Sequence, residues 1–464
     1  MHRQPTRLAA LLGGTAGLTM NVAGFFWLQK MLETFSGFPV PVCFLFVLIV
    51  CAYQGGRIGL LGWLYGRGSA RGWPAALVFV GAFVASELAY PVLFVWYYAA
   101  TVHNAPVLGQ LADVGGPILV GVILVAANLL VAEPLLARLE RRNVDIGTLA
   151  SGAVAVAFTL CYGTLRISAV DAAAQAAPAA TVGVVQANMG LMEKRTAFDE
   201  GLRQHLRLSE ELRERGADFL VWSETSAMRP VRDDTYAPEL GAVARRIGLP
   251  AIFGAVIVKL VPDARDYVLY NSAVASDAQG AVASRYDKEV LLAFGEYLPF
   301  GETFPILYKW SRNSGHFSAG TSLEPLQVDV GGAKHPVTAL ICYEDILPEF
   351  TNDAVRHAEP ELIVNLTNDA WFGGAEPWEH LALSQMRAIE HRRYFVRGTN
   401  SGVSAVVDPV GRLVGHTGTF RQDTLLAPIH WMRAHTVYEK VGDFPWLLVS
   451  AAMAFGAFRR RATA

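Results

Sequence analysis

Charge is what this sequence has least of. Of 464 residues, 17% are Asp, Glu, Lys or Arg, against 52% hydrophobic. A soluble domain ordinarily carries about 25% charged residues, and the mean hydropathy of +0.30 points the same way. Cysteine is scarce too, at four residues. Cys43, Cys51 and Cys161 lie in apolar runs, where a thiol behaves as a small hydrophobe. Cys342 is then the one cysteine of the polar half, with no disulfide partner there. No CxxC or HExxH spacing occurs, so no metal and no cofactor is expected. A net charge of −2 lacks the basic footprint of a nucleic-acid binder. These shortages exclude an ordinary cytosolic enzyme, a disordered regulator and a disulfide scaffold.

The charge that is present is unevenly placed. Only 17 of the 80 charged side chains fall in residues 1–180, and the other 63 fall in the remaining 284. Five apolar segments of roughly bilayer-spanning length can be read in that first part: Leu8–Leu28, Val40–Tyr65, Trp73–Ala99, Gly116–Leu136 and Gly147–Ile167. A sixth, Phe444–Phe458, is short. Cations alternate between the connections. Arg3 and Arg7 precede the first segment, Arg67 and Arg71 follow the second, and Arg138, Arg141 and Arg142 follow the fourth. Arg459, Arg460 and Arg461 follow the sixth. The positive-inside rule then puts the large polar region on the outer face. Met1–Gly24 also suits a cleavable signal peptide, which would leave that region on the same side. Arg57 and Glu87 fall inside spans and need a protein or water neighbour, whereas Glu133 and Arg166 are expected to reach the interface. Ala172–Ala180 reads as a linker. The organisation expected is therefore a helical anchor over residues 1–170, a catalytic domain over 181–435, and a C-terminal span with a basic tail over 444–464.

From Thr181 strands and helices alternate, as in a layered α/β domain. Strands are expected at Val182–Gln186, Phe219–Trp222, Ala251–Val256, Val268–Ala275, Ala281–Tyr286, Val337–Ile341, Leu362–Asn365, Val403–Val407 and Leu413–His416. Helices are expected at Asp199–Arg215, Pro238–Ile247 and His380–Arg393. Three ionisable residues lie just beyond apolar strands: Glu224, Lys288 and Cys342. Ligands bind at such strand ends in α/β folds. A thiol is nucleophilic as thiolate, a nearby ammonium favours that form, and a carboxylate can take its proton. Each residue alone could equally be core filler or half of a surface pair. Ser318, in His316-Phe-Ser-Ala-Gly320, lacks the first glycine of a serine-hydrolase elbow. His380 and His391 read as packing or hydrogen-bonding residues.

Read together, the motifs are more specific. Val182-Gly-Val-Val-Gln-Ala-Asn188 and Val221-Trp-Ser-Glu224 are followed by Tyr286-Asp-Lys288 and Phe294-Gly-Glu-Tyr-Leu-Pro299. Ile341-Cys-Tyr-Glu344, Asn365-Leu-Thr-Asn-Asp-Ala-Trp-Phe-Gly373 and Arg397-Gly-Thr-Asn-Ser-Gly-Val-Ser-Ala405 come after them. In this order they resemble the nitrilase (carbon–nitrogen hydrolase) superfamily, and within it the membrane-bound apolipoprotein N-acyltransferase branch. The resemblance implies a nitrilase-like αββα sandwich beside the transmembrane anchor. It implies Glu224 as general base, Lys288 as electrostatic stabiliser and Cys342 as nucleophile. Glu296, Glu344 and Tyr343 would support them, and Trp371, Phe198 and Asn368 would contact substrate. The implied partners are the lipid bilayer, a phospholipid acyl donor and a diacylated apolipoprotein acceptor, at a bacterial inner membrane with the domain periplasmic. Ser223 and Ala293 stand where the family usually has proline, Phe198 stands where tryptophan is common, and the anchor is about two spans short. A membrane-tethered amidase and a non-catalytic lipoprotein-binding scaffold are the alternative readings.

Overall fold

A computed structural model describes residues 4–36, 38–190, 193–227, 229–261, 266–293, 295–298, 300, 301, 303, 304, 306, 308 and 315–458. Two compact units emerge. One comprises Met1–Glu33, Gly37–Ala169 and Thr436–Ala464; the other comprises Thr34–Ser36 and Val170–His435.

In the first unit, Val40–Ser69, Ala112–Leu139 and Ile146–Ala176 are long and apolar enough to cross a membrane. Ala75–Ala89 and Phe444–Phe458 are shorter apolar helices. The helix Thr6–Gly24 lies against Val40–Ser69 through glycines: a Cβ on Gly17 would come within 2.3 Å of the Gly55 carbonyl oxygen. Small residues let helix backbones approach this closely in an apolar medium. Trp73–Ala99, expected as one span, is not one. Its helix stops at Ala89, because Tyr90 precedes Pro91 and adopts the extended conformation that a following proline favours. The backbone groups freed beyond that point find side chains. Gln54 donates to Phe94 O at 2.9 Å and accepts from Leu93 N at 2.7 Å, and Arg57 donates to Trp96 O at 2.9 Å. Arg57 also stacks 3.6 Å over the Trp96 ring and lies 3.4 Å from Glu87. Non-helical backbone among apolar helices survives where protein satisfies it, and Arg57 and Glu87 belong to that arrangement. Arg166 pairs with Asp113 at 2.7 Å. Ala172–Ala176 completes the helix that begins at Ile146, as the helix propensity of alanine favours, and Ala179–Ala180 opens a strand; of the segment read as a linker, Ala177 and Pro178 alone lie between the two elements.

The second unit is built on two sheets. The first contains β1 (Ala179–Gln186), β2 (Phe219–Val221), β3 (Val231–Arg232), β4 (Ala251–Val261), β5 (Asp266–Ser276) and β6 (Val282–Asp287). The second contains β7 (Leu326–Val330), β8 (Ala333–Ile341), β9 (Leu362–Thr367), β10 (Phe395–Thr399), β11 (Ala405–Val407) and β12 (Leu413–His416). β13 (Asp423–His430) returns to the first sheet beside β1. The orders are β13-β1-β2-β4-β5-β6, with β3 on β4, and β12-β11-β10-β9-β8-β7. Each sheet has a parallel centre (β1-β2-β4 and β8-β9-β10) flanked by antiparallel strands. Parallel centres must be covered on both faces, and the buried side chains divide accordingly. Val182, Val184, Phe219, Val221 and Ile252 meet Val337, Ala339, Ile341, Val364 and Val396 between the sheets. The opposite face of the first sheet packs on Leu208, Leu212, Leu240 and Ile247, from the helices Phe198–Glu214 and Tyr236–Ile247. The opposite face of the second packs on Val355, Leu381 and Ala388, from Pro348–Ala358 and Glu376–His391. The result is the αββα sandwich.

His205 occupies the outer helical layer with no solvent exposure. Its Nδ1 lies 2.7 Å from Gly201 O, and its ring sits 4.9 Å from that of Trp222. Burial pulls its pKa from 6.5 down to about 4, so the folded protein holds it neutral. A base depressed in this way contributes stability that is full above about pH 6.5 and is lost as pH falls towards about 4. The shift amounts to about 3 kcal/mol. The fall in Tm between pH 7 and pH 4 is therefore expected to be smaller in His205→Gln than in the wild type, measured by thermal melting across that range.

Candidate active site

Strand ends bring the expected residues together. Glu224 follows β2, Lys288 follows β6 and Cys342 follows β8. Cys342 opens a 3₁₀ turn, Cys342–Ile346, at φ +53°, a left-handed conformation that costs a non-glycine residue of order 1–3 kcal/mol. Its neighbours hold it there. Asn365 on β9 donates to Cys342 O at 3.1 Å, and the Glu344 carboxylate accepts from Ile341 N at 2.7 Å. Glu224 is followed by a similar strained residue, Thr225, at φ +49°. There β4 passes so close that a Cβ on Gly254 would stand 2.4 Å from Thr225 N.

Lys288 is 1% exposed and makes a 2.6 Å ion pair with Glu296. Glu296 also accepts from Leu292 N at 2.8 Å. Asn271, on β5, ties the two acids together, its Nδ2 donating to Glu224 Oε1 at 2.6 Å and to Glu296 Oε1 at 2.9 Å. Glu344 anchors the loop that follows Lys288. Its Oε1 accepts from Tyr286 OH at 2.8 Å, Glu289 N at 2.8 Å and Val290 N at 2.9 Å. Thus Glu296 and Glu344 hold the loop and the turn that carry Lys288 and Cys342.

The electrostatics follow from burial. Burial, then the Glu224 carboxylate, push the Cys342 thiol up to about 12, against the pull of Lys288 and His380. Burial alone would lower Lys288, but Glu296, Cys342 and Glu224 hold it well above its ordinary value, so it is an ammonium. Glu224 is raised by burial, which Lys288 opposes. Glu344 is pushed up to about 7 by burial, again against Lys288. At neutral pH the site therefore contains a protonated thiol, a carboxyl group of raised basicity and a fixed cation. That set suits general-base activation of a nucleophile better than a standing thiolate.

Several neighbours were not legible beforehand. Asn271 is one. Lys194 is another: its Nζ donates to Glu224 O at 2.8 Å, and burial lowers it to about 8. A third group lies behind the Cys342 turn, where Asp345, Asp369, Glu376, His380 and Arg397 form a buried ionic cluster. Asp369, Glu376 and His380 put donor atoms within 4.8 Å of one another, but Arg397 already faces Asp369 at 3.1 Å, so the acidic charge there is met without a further cation.

The remaining candidates are more dispersed. Tyr343 is half-buried against the inter-sheet core. Phe198 is half-buried beside Ala187 and Met189, with the Arg229 guanidinium 5.9 Å over its ring. Asn368 caps the short turn Asp369–Trp371 and accepts from Asn400 Nδ2 at 3.0 Å. The Trp371 side chain lies outside the described residues, as do Phe294, Pro299, Leu307 and Trp310. Between residues 298 and 304, Leu298 is buried, while Phe300 and Phe304 are 75% and 57% exposed.

Residues 181–436 match the family model described as carbon–nitrogen hydrolase, and residues 1–130 match the one described as the N-terminal domain of apolipoprotein N-acyltransferase. Over 99% of its length the chain is 30% identical to an apolipoprotein N-acyltransferase from Ralstonia nicotianae, covering 87% of that protein. It is 28% identical, again over 99% of its length, to one from Geobacter metallireducens, covering 89%. An amidase structure from Nesterenkonia sp. aligns with 54% of this chain and 90% of its own, at 17% identity and a TM-score of 0.39.

The Glu344 contacts give a sharp expectation. A glutamine there can keep its oxygen toward Tyr286, Glu289 and Val290, but its amide then confronts Ile341 N. One buried donor loses its acceptor, at about 1–3 kcal/mol. Glu344→Gln should lower the Tm of the domain correspondingly in calorimetry and slow alkylation of Cys342.

Proposed function

Because the chain belongs to the apolipoprotein N-acyltransferase family, membrane enzymes of lipoprotein maturation built on a carbon–nitrogen hydrolase domain, we propose that its acyl transfer runs through a thioester on Cys342, with Glu224 as base and Lys288 as oxyanion partner. The observation that carries this reading is the hydrogen-bonded chain Glu224–Asn271–Glu296–Lys288 beside the Cys342 turn.

In the first half-reaction Glu224 takes the thiol proton as sulfur attacks the ester carbonyl of a phospholipid. Charge develops on the carbonyl oxygen, where the Lys288 ammonium stabilises it; a donor so placed is typically worth about 3 kcal/mol. Collapse expels the lysophospholipid, whose alkoxide takes the proton back from Glu224. In the second half-reaction the free α-amine of the lipid-modified N-terminal cysteine of a diacylated apolipoprotein attacks the thioester. Glu224 then accepts the amine proton and returns one to the departing Cys342 sulfur. With its thiol at about 12, Cys342 depends on that base in both directions.

Both substrates carry acyl chains, which gives the apolar helices of the first unit a reason to exist. The alternation of cations along the sequence supports an inner-membrane protein whose domain of about residues 181–435 faces the periplasm, anchored by residues 1–170 and 444–464. Tyr343, Phe198, Asn368 and Trp371 remain candidates for contacts with acyl chain or acceptor.

Intact-mass measurement after incubation with phospholipid, acceptor withheld, tests the scheme. Wild type should gain one acyl chain, Cys342→Ala none, and Glu224→Gln should acylate about 10²–10⁴-fold more slowly. A wild type that releases lysophospholipid without carrying an adduct, or gains no mass, overturns it.

A further inference from the structure

His380 takes no part in the steps above, yet it is the centre of the cluster behind the nucleophile turn. Its Nε2 lies 2.7 Å from Asp345 Oδ1, and its Nδ1 lies 3.5 Å from both Asp369 Oδ1 and Glu376 Oε1. Arg397, from β10, reaches the other oxygen of Asp345 at 2.5 Å and Asp369 at 3.1 Å. Every one of these side chains is buried. A neutral imidazole has one N–H; it would meet Asp345 with that and turn a lone pair on Asp369 and Glu376. An imidazolium donates on both sides. The charges also balance in that form. Two cations meet two aspartates, and Glu376, which burial pushes up to about 7, spends much of its time protonated at neutral pH.

Asp345 is the link to chemistry, since it sits in the turn Cys342–Ile346 that begins with the nucleophile. Two cations from different elements, the helix Glu376–His391 and β10, grip its carboxylate. Glu344, one residue earlier, is fixed to the loop of Lys288. The turn is therefore held from two directions.

We propose that His380 is a positioning residue for Cys342: as an imidazolium it clamps Asp345, and with it the turn carrying the thiol, and it sets a fixed positive charge within range of the sulfur. This rests on Cys342 being the nucleophile. The groups that face His380 are Glu376 on its own helix, Asp345 on the turn, Asp369 beyond β9 and Arg397 on β10. Burial and Arg397 push its pKa down, but Asp345 and Asp369 more than restore it, to well above 6.5. The thiol feels the resulting charge, which opposes the rise that burial and Glu224 impose.

The test is the pH profile of Cys342 alkylation by iodoacetamide on the full chain in detergent, read at the Cys342 peptide by mass spectrometry. His380→Gln can still donate to Asp345 but carries no charge. Its profile should move up by about one pH unit, so that alkylation is about tenfold slower on the rising limb. His380→Lys, which keeps the charge, should return to within about threefold of wild type. A His380→Gln profile that superimposes on wild type, or a His380→Lys as slow as His380→Gln, overturns the proposal. Should the variants not fold, imidazole C2–H exchange on the wild type decides. A midpoint for His380 well above 6.5 supports the proposal, and one at or below 6.5 overturns it. Neither readout uses a lipid, so a missing acyl adduct would sink the thioester scheme and leave this result standing.

Discussion

An ammonium group with 1% exposure can exist only if something negative meets it, and Glu296 does so at 2.6 Å from Lys288. Much of the site is arranged around that contact. Glu296 is itself buried enough to need donors, and finds them in Leu292 N and Asn271. Asn271 then has a second hydrogen for Glu224, so one amide fixes the spacing of the two carboxylates. The Lys288 charge in turn opposes the burial cost of Glu224, Glu344 and the Cys342 sulfur alike. Removing the pair would leave three acidic groups without their common counter-charge.

The membrane unit shows the same rule in an apolar medium. Where Pro91 stops the helix, the exposed amides and carbonyls of Leu93, Phe94 and Trp96 are met by Gln54 and Arg57 from a neighbouring helix. Polar side chains that look misplaced in a hydropathy profile are there to complete a broken backbone. In the second unit their counterparts are Asn365, Glu344 and Asp345, which hold the strained turn at Cys342.

How far this could be read from sequence depended on range. Glu224 and Cys342 follow short apolar runs, but Lys288 follows Ser284-Arg-Tyr-Asp287, and it was the ordered motifs of the family resemblance that singled out the three together. The alternation of strand-like runs with amphipathic helices pointed to a layered α/β domain, and the family resemblance supplied the αββα sandwich. β10 was not, because Arg397 and Thr399 interrupt its apolar pattern, and only the fold reveals that Arg397 is matched by Asp345 and Asp369 from elsewhere in the chain. Asn271 was hidden for a related reason: in a strand of alternating residues a single amide looks like a solvent-facing position. The continuity of Trp73–Ala99 was over-read, since hydropathy does not register that Pro91 ends a helix. Partnerships across long stretches of chain leave no local mark.

The most direct test of the central contact is a double-mutant cycle on Lys288→Met and Glu296→Gln, read as the rate of acyl-enzyme formation on Cys342. If the two side chains act as one unit, either change alone should cost nearly as much as both together, a strongly non-additive cycle. Losses that simply multiply would mean the two residues act independently, and would contradict the account.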